Sequence, residues 1–396
     1  MFSNMELAYG FIYVCSGLIA AGIILLFTMK LRHQAEQKQM EAFKEKHRDY
    51  FIYLQSHLHD DVQLALPQGR LEPLERRVVE DKLIQWIERL KGESRSKLVS
   101  LCQEAGFVEA EKRMLSSLFP GKRVEAAYRL GGMRAAEAVP EMLELLQTMR
   151  YGPESIIVAR AIAKSADQYE FIRAMLKQLL ASGKPVQHLA ADMLLETRLE
   201  SAGLLRRLLQ EEELGILKAA LAAMWGQAVP AVVPALGRLA FNGQEDVRAE
   251  AVKLYLASNP VLKDDTISQL MSDPEWEVRA VTAKALGRIH AAGSIPLLQA
   301  ALADDSWHVR HNSAESLSLL GEQGFEALCQ AALGTGAARE IALSRIEQVM
   351  GSERSTQAVD QIVAFNKIKL VYESYFGISS KKAAVQMAGV GGDYSA

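Results

Sequence analysis

Apolar residues recur at helical spacing along most of this chain, in blocks that return every 29 to 32 residues between about residue 120 and residue 351. The clearest blocks are EVRAVTAKALGRI at 277–289 and HVRHNSAESLSLL at 308–320. A fixed period of this size is typical of a solenoid, in which each unit packs only on its neighbours. The blocks define eight units, anchored at Lys122, Glu154, Val186, Leu217, Val247, Val278, Val309 and Ala338.

The unit around Val278 predicts a helical hairpin. Asp273 is a suitable N-cap residue, and Pro274 is tolerated in the first turn of a helix. Gly287 stands where the first helix should end, so we expect it to supply a left-handed C-cap. Pro296 then opens a second helix. Each unit should therefore be a pair of helices.

The motif V-R-A followed by A-x-x-L-G is complete at 278–287 and partial at 309–321, with a proline at the second helix. These residues resemble HEAT repeats, specifically the short HEAT-like kind of phycobilisome-lyase-type proteins, here of a membrane-anchored bacterial type. The resemblance implies an all-α fold: a right-handed α-solenoid of about eight HEAT-like hairpins, preceded by one transmembrane helix and a helical stalk. It also implies protein partners, bound along the concave face.

An uncharged run of 23 residues, Leu7 to Met29, precedes the repeats. About 20 apolar residues span a bilayer as a helix. A cleaved signal peptide would need a basic leader and a shorter apolar stretch, and this leader has neither Lys nor Arg. We therefore predict a transmembrane anchor over 1–29. Gly17 belongs to a small-xxx-small pair with Ala21, and dimerisation through it is a hypothesis.

The charges after the anchor predict its orientation. Residues 30–48 carry six Lys or Arg against three Glu, and such a bias favours the cytoplasmic side. We expect a single-pass plasma (inner) membrane protein with its N-terminus outside and its solenoid in the cytoplasm. The same basic residues are candidates for contact with anionic lipid headgroups. The predicted segments are a basic stalk and linker at 30–73, a helical cap at 74–120, the solenoid at 121–378 and a flexible tail at 379–396.

Arginines and aspartates repeat with the units and invite two interpretations. They are either an anion-binding strip or a structural ladder, and we favour the ladder because half-buried Arg normally pairs with a carboxylate. The ladder residues are Arg248, Arg279, Arg310, Asp273 and Asp304.

Aromatic and histidine residues near the same positions are further candidates. Trp276 and Trp307 occupy equivalent repeat positions and are either a stacking platform or, as we prefer, groove fillers between units. His308 and His311 share a helix face, with Asp304 one turn earlier, but no metal-cage spacing supports a metal site there.

The sequence contains no nucleophile elbow, phosphate-binding loop or zinc-protease motif, so we expect neither an enzyme nor a bound cofactor. A net charge of −3 argues against a nucleic-acid partner. Three cysteines without metal or redox spacing fit a reducing compartment.

We predict a cytoplasm-facing scaffold or adaptor, with an envelope or glycosyltransferase complex as one client class. The alternatives are a HEAT-like lyase-type enzyme, a ligand-binding protein and a HEAT-like nucleic-acid binder. Oligomeric state stays open.

Overall fold

The computed structural model describes residues 4–377, apart from positions 61, 68, 70, 228, 260–261 and 352–358. Within these residues the chain is helical and contains no β-strand. It divides into two compact units: unit 1 contains residues 1–184 and 196–199, and unit 2 contains 185–195 and 200–396. The predicted tail at 379–396 lies outside the described residues.

Unit 1 begins with a long N-terminal helix, continues through a cap and ends with two hairpins. Its helices are α1 (Asn4–Lys46), α2 (Arg48–His57), α3 (Pro73–Arg89), α4 (Gly92–Glu104), α5 (Phe107–Met114), α6 (Pro120–Gly132), α7 (Val139–Thr148), α8 (Pro153–Ser165) and α9 (Tyr169–Leu180).

Helix α1 has 43 residues and contains the whole apolar run, including Leu7, Gly17 and Met29. Phe11–Lys46 is the one described segment with the length and hydropathy of a membrane span, and none of its apolar window is buried. At about 1.5 Å per residue, the uncharged run extends about 35 Å, enough to cross a hydrocarbon core of about 30 Å. The helix fits a single-pass membrane protein and fits a signal sequence equally well.

A buried carboxylate fixes the end of α1 to the cap. Glu75 on α3 accepts hydrogen bonds from Lys46 Nζ at 2.6 Å and from His47 Nε2 at 2.7 Å. The Lys46 hydrogen bond, with the smaller contribution of His47, lowers the pKa of Glu75 to about 2. Because Glu75 is almost fully buried, loss of either partner would leave its charge poorly compensated. The stalk is therefore attached to folded protein where α1 meets α2.

Unit 2 continues the hairpins. Its helices are α10 (Gln187–Leu195), α11 (Ser201–Leu208), α12 (Leu214–Ala223), α13 (Val233–Asn242), α14 (Glu245–Ser258), α15 (Asp264–Met271), α16 (Trp276–Arg288), α17 (Ile295–Ala300), α18 (Trp307–Leu319), α19 (Gly321–Ala332), α20 (Gly336–Gly351) and α21 (Val359–Tyr372). A short 3₁₀ turn precedes α13 and another precedes α17.

The described residues form eight helical hairpins, starting with α6–α7 and ending with α20–α21. Each predicted anchor lies in the first helix of a hairpin, except Val186, which directly precedes α10. The predicted all-α solenoid is therefore confirmed. The even-numbered helices from α6 to α20 are called first helices below.

Neighbouring first helices pack closely in the last repeats. Many Cα atoms of α16 and α18 approach within 8 Å, whereas the second helices α17 and α19 come this close at far fewer positions. Val278, Ala283 and Leu286 of α16 point away from solvent into the core. The exposed side of these first helices is called the first-helix face below.

The predicted role of Gly287 as a left-handed cap is wrong. Helix α16 runs one residue past it, and the left-handed residue is His290, with φ of 52°. Gly287 is buried in the helix, where a Cβ would stand 2.5 Å from Ser316 Oγ and 2.7 Å from Ser316 Cα on α18. Its repeat equivalent Gly131 has the same contact in unit 1, 2.6 Å from Ala161. These glycines are required by helix-to-helix distance rather than by backbone conformation.

The predicted N-cap role of Asp273 is also wrong. Helix α16 begins at Trp276 with Glu275 as its N-cap residue, so Pro274 lies outside the helix. Asp273 instead accepts a hydrogen bond from the backbone N–H of Glu275 at 2.9 Å, which holds the turn before the helix. Pro296 does lie in the first turn of α17, as predicted.

The contact at Gly287 predicts a stability effect. Gly287→Ala should lower the free energy of unfolding by about 1–3 kcal/mol, because the added methyl group forces α16 and α18 apart. Gly293→Ala is the matched control, since a Cβ there meets no atom within 4 Å. Urea unfolding of the full chain in detergent measures both. Equal stability of the two variants would contradict this packing role.

Candidate functional site

Trp225 is an exposed aromatic residue of unit 2 whose ring is held by its neighbours. It lies two residues after the end of α12, and half of its surface (50%) is exposed. Its indole N–H donates to the carboxylate of Glu250 on α14. The ammonium of Lys253 stands 4.5 Å from the ring centroid, and the ring of His188 lies 5.2 Å away. Three neighbours therefore hold the ring in one orientation while it stays accessible.

A groove of about 670 Å³ runs from Trp225 across α14 and α16 to α18. We call it the Trp225 groove. Its apolar residues are Leu254, Leu256, Ala257, Val281, Ala285 and Ile289. Its polar residues are Lys253, Lys284, Arg288 and Asn312. A mostly apolar depression with a few placed polar groups is the usual form of a binding site.

The charges that line the groove are all positive. Lys284 and Arg288 are exposed on consecutive turns of α16, and neither makes an ion pair with any residue that the structure describes. Lys253, on α14, is the repeat equivalent of Lys284. The equivalent residue of the next repeat is Glu315, so the positive stretch is confined to two repeats. The described lining offers no carboxylate, imidazole or thiol, and the groove is therefore suited to binding rather than to acid–base or nucleophilic chemistry.

The predicted Arg and Asp residues meet in the turns between neighbouring repeats, away from this groove. Arg248 donates to Asp273 at 2.8 Å, and Arg279 donates to both oxygens of Asp304 at 2.8 and 2.9 Å. Arg310 donates instead to the backbone carbonyls of Asp304 and Asp305, at 2.7 and 2.8 Å.

Each ladder carboxylate also fixes its own turn. Asp304 accepts a hydrogen bond from the backbone N–H of Ser306 at 2.9 Å, as Asp273 does from Glu275. The bond from Arg279 is the main cause that lowers the pKa of Asp304. These guanidinium groups form hydrogen bonds within the fold and do not line the Trp225 groove.

The residues considered for metal binding form an aromatic stack. His308 stacks on Trp276 at 4.9 Å, and His311 stacks on Trp307 at 4.8 Å. Asp304, the third candidate, is occupied by Arg279. Across the described part of the chain, no three His, Cys, Asp or Glu residues are grouped in a way that could hold a metal ion.

The two tryptophans are less enclosed than expected. Trp276 contacts the next unit through His308 but is 40% exposed, and Trp307 is 53% exposed. Neither one therefore fills a groove between units.

Two cysteines are core residues. Cys102 and Cys329 are both buried and free. Burial raises the pKa of the Cys102 thiol to about 12 and that of Cys329 to about 11, so both stay protonated near neutral pH.

The repeat geometry agrees with comparisons to known sequences. The HEAT repeat pattern matches residues 264–349, and the PBS lyase HEAT-like repeat matches residues 122–148. These two stretches of the chain are HEAT repeats. A search of curated proteins found no match to it.

Comparison with solved structures found similar chains at low sequence identity and low TM-score. An engineered protein is 18% identical, with a TM-score of 0.32 over 81% of this chain and 97% of its own. A chain in the Pds5–Scc1 complex is 13% identical, with a TM-score of 0.33 over 85% of this chain and 62% of its own. A chain in the Kap95p–RanGDP complex is 11% identical, with a TM-score of 0.35 over 89% of this chain and 66% of its own.

Sequence reasoning missed the groove residues Trp225, Lys253, Lys284 and Arg288. One signal was present: Lys253 and Lys284 occupy the same repeat position, 31 residues apart, where the following unit has Glu315. Residues that differ between units at an exposed repeat position are where a solenoid carries its specificity.

The ladder predicts a pH-dependent loss of stability. Asp304→Asn should cost about 1–3 kcal/mol near neutral pH, because the charge-assisted bonds from Arg279 are lost. A lowered pKa in the folded state means that the contribution of Asp304 is fully present above its unfolded pKa of about 3.9 and disappears as pH falls through the lower folded pKa. The gap between variant and parent should therefore close in acid. Asp305→Asn, at an exposed neighbour, should cost little, and a pH-independent gap would contradict this account.

Proposed function

We propose that this chain is a membrane-anchored scaffold that holds a segment of a partner protein in the Trp225 groove. The observation that carries the proposal is the half-exposed Trp225, fixed by Glu250 beside an apolar groove with unpaired cations. Large, oriented aromatic residues in a depression are where binding energy concentrates in protein interfaces. HEAT-repeat folds commonly bind protein partners, which supports the same assignment.

The long apolar helix α1 supports the location. Anchoring through 7–29 would confine the repeats to the membrane surface and raise their effective concentration toward other membrane proteins. The basic residues of 30–48 favour a cytoplasmic position for the repeats. An adaptor for an envelope or glycosyltransferase complex fits this arrangement.

An enzyme of the HEAT-like lyase type is the second candidate. It would need converging acid, base or nucleophilic groups in the groove, and the described lining supplies cations and one amide in place of them. We therefore propose a binding role without catalysis.

Photo-crosslinking in intact cells tests the proposal. A benzophenone amino acid at Ala257, an exposed groove residue, should give one or a few defined protein adducts. The same amino acid at Ala300, an exposed alanine on the second helix α17, should give none of them. Trp225→Ala should lower the Ala257 adducts about tenfold or more, the effect expected for loss of a central aromatic anchor.

The same cells test the anchor. The chain should stay in the membrane fraction after alkaline extraction, and its intact mass should include residues 7–29. Adducts that form equally at both positions, or that survive Trp225→Ala, would contradict a binding role for the groove. A mass that lacks the apolar run would show a cleaved signal sequence instead.

A further inference from the structure

We propose that the segment bound in the Trp225 groove is acidic, with carboxylates spaced one helical turn apart beside a large apolar side chain. This inference rests on the proposed function and specifies the partner chemistry that the groove selects. It follows from the charges on α16 and from the apolar residues that lie between the cations. It also follows from the nearest carboxylate, which already bonds to other groups of the protein.

The cations on α16 have a defined spacing and no partner among the described residues. Lys284 and Arg288 are four residues apart, which places their side chains on one face about 6 Å apart. Lys253 stands on the neighbouring first helix, at an interhelical distance of about 8–10 Å. Lys284 and Arg288 are like charges and repel each other, so a ligand that brings carboxylates relieves that repulsion.

Among the described residues, no carboxylate forms an ion pair with Lys284 or Arg288. Glu250, the nearest acidic residue on α14, accepts the indole N–H of Trp225 and stands 3.4 Å from Lys253. It makes no ion pair with the cations of α16. Arg288 lies at the carboxyl end of α16, where a cation interacts favourably with the helix dipole. That interaction applies to Arg288, at the end of the helix, more than to Lys284, one turn earlier.

The space between the cations and Trp225 is apolar. Val281 and Ala285 line the groove on the same helix as the two cations, and Ile289 continues this surface. A purely charged ligand would leave these residues and the tryptophan ring uncovered. A Leu, Phe or Trp side chain flanked by carboxylates would cover them and pair with the cations at once.

Phosphate-bearing ligands fit less well. Phosphate groups favour helix N-termini, where free backbone N–H groups and the positive end of the dipole point at the anion. The cations here stand on the last two turns of α16, at the negative end of its dipole. A polymer of phosphates would also meet a chain whose net charge is −3. Carboxylates on a protein segment are therefore the better match.

A peptide-binding experiment with the full chain in detergent tests the inference. The probe is a fluorescent helical peptide with Glu at i and i+4 flanking Leu and Phe, compared with versions that have Gln for Glu or Ser for Leu and Phe. The Glu peptide should bind about tenfold or more tightly than the Gln version, and more tightly than the Ser version, by fluorescence anisotropy. Its affinity should fall as salt rises.

Two variants locate the effect. Lys284→Glu should weaken the Glu peptide about tenfold and leave the Gln peptide within about twofold. Lys263→Glu makes the same charge change at an exposed residue outside the groove and should leave both affinities unchanged. Circular dichroism and thermal unfolding check that the variants fold like the parent.

Equal binding of the Glu and Gln peptides, absence of binding by the Glu peptide, or equal losses from Lys284→Glu and Lys263→Glu would each overturn the inference. None of these results determines whether crosslinks form from Ala257, because that experiment does not use the peptides. Crosslinks that depend on Trp225 would keep the groove as a binding site while rejecting its preference for an acidic segment.

Discussion

The close approach of neighbouring first helices is the constraint on which the rest of this structure depends. At Gly287 and Ser316, and again at Gly131 and Ala161, no room exists for an additional methyl group. In unit 2 this close approach is clearest between α16 and α18. It also brings exposed residues of successive first helices into line, so that side chains from three or four units share one groove.

Residues that recur from repeat to repeat and residues that vary between repeats therefore have different roles. The arginines and aspartates that recur join each turn to the next, as Arg279 does through both oxygens of Asp304. Gly131 and Gly287 set the spacing of the helices that they face. The residues that vary at exposed positions, such as Lys284 and its counterpart Glu315, make none of these structural contacts. They can therefore determine which partner binds. A repeat array can thus keep one fold while its partner changes.

The hairpins could be predicted because their signals are local. Helical periodicity and the proline that opens α17 act within a few residues, and the eight anchors follow from them. The role of Gly287 could not be predicted in the same way. A glycine near a helix end usually marks a left-handed cap, and only the neighbouring helix reveals that Ser316 excludes a side chain. The N-cap prediction for Asp273 is wrong for a local reason, because the turn before α16 is two residues longer than the pattern indicates.

The groove depends entirely on contacts between units. Trp225 follows α12, its hydrogen-bond partner Glu250 is on α14, and Val281 is on α16. No pattern within one unit brings these residues together. Their arrangement follows from the stacking distance, which the sequence encodes only through small residues at facing positions. The candidate site was therefore less predictable than the fold that supports it.

Hydroxyl-radical footprinting of tryptophan side chains tests the central claim most directly. Trp225 and Trp307 have nearly the same exposure, 50% and 53%, and therefore serve as site and internal control within one molecule. In the purified chain both should be oxidised to similar extents. In native membranes, Trp225 should be protected and Trp307 should not, because a partner segment covers the groove. Equal oxidation of both residues in native membranes, or protection of Trp307 alone, would contradict the assignment of the Trp225 groove as the partner site.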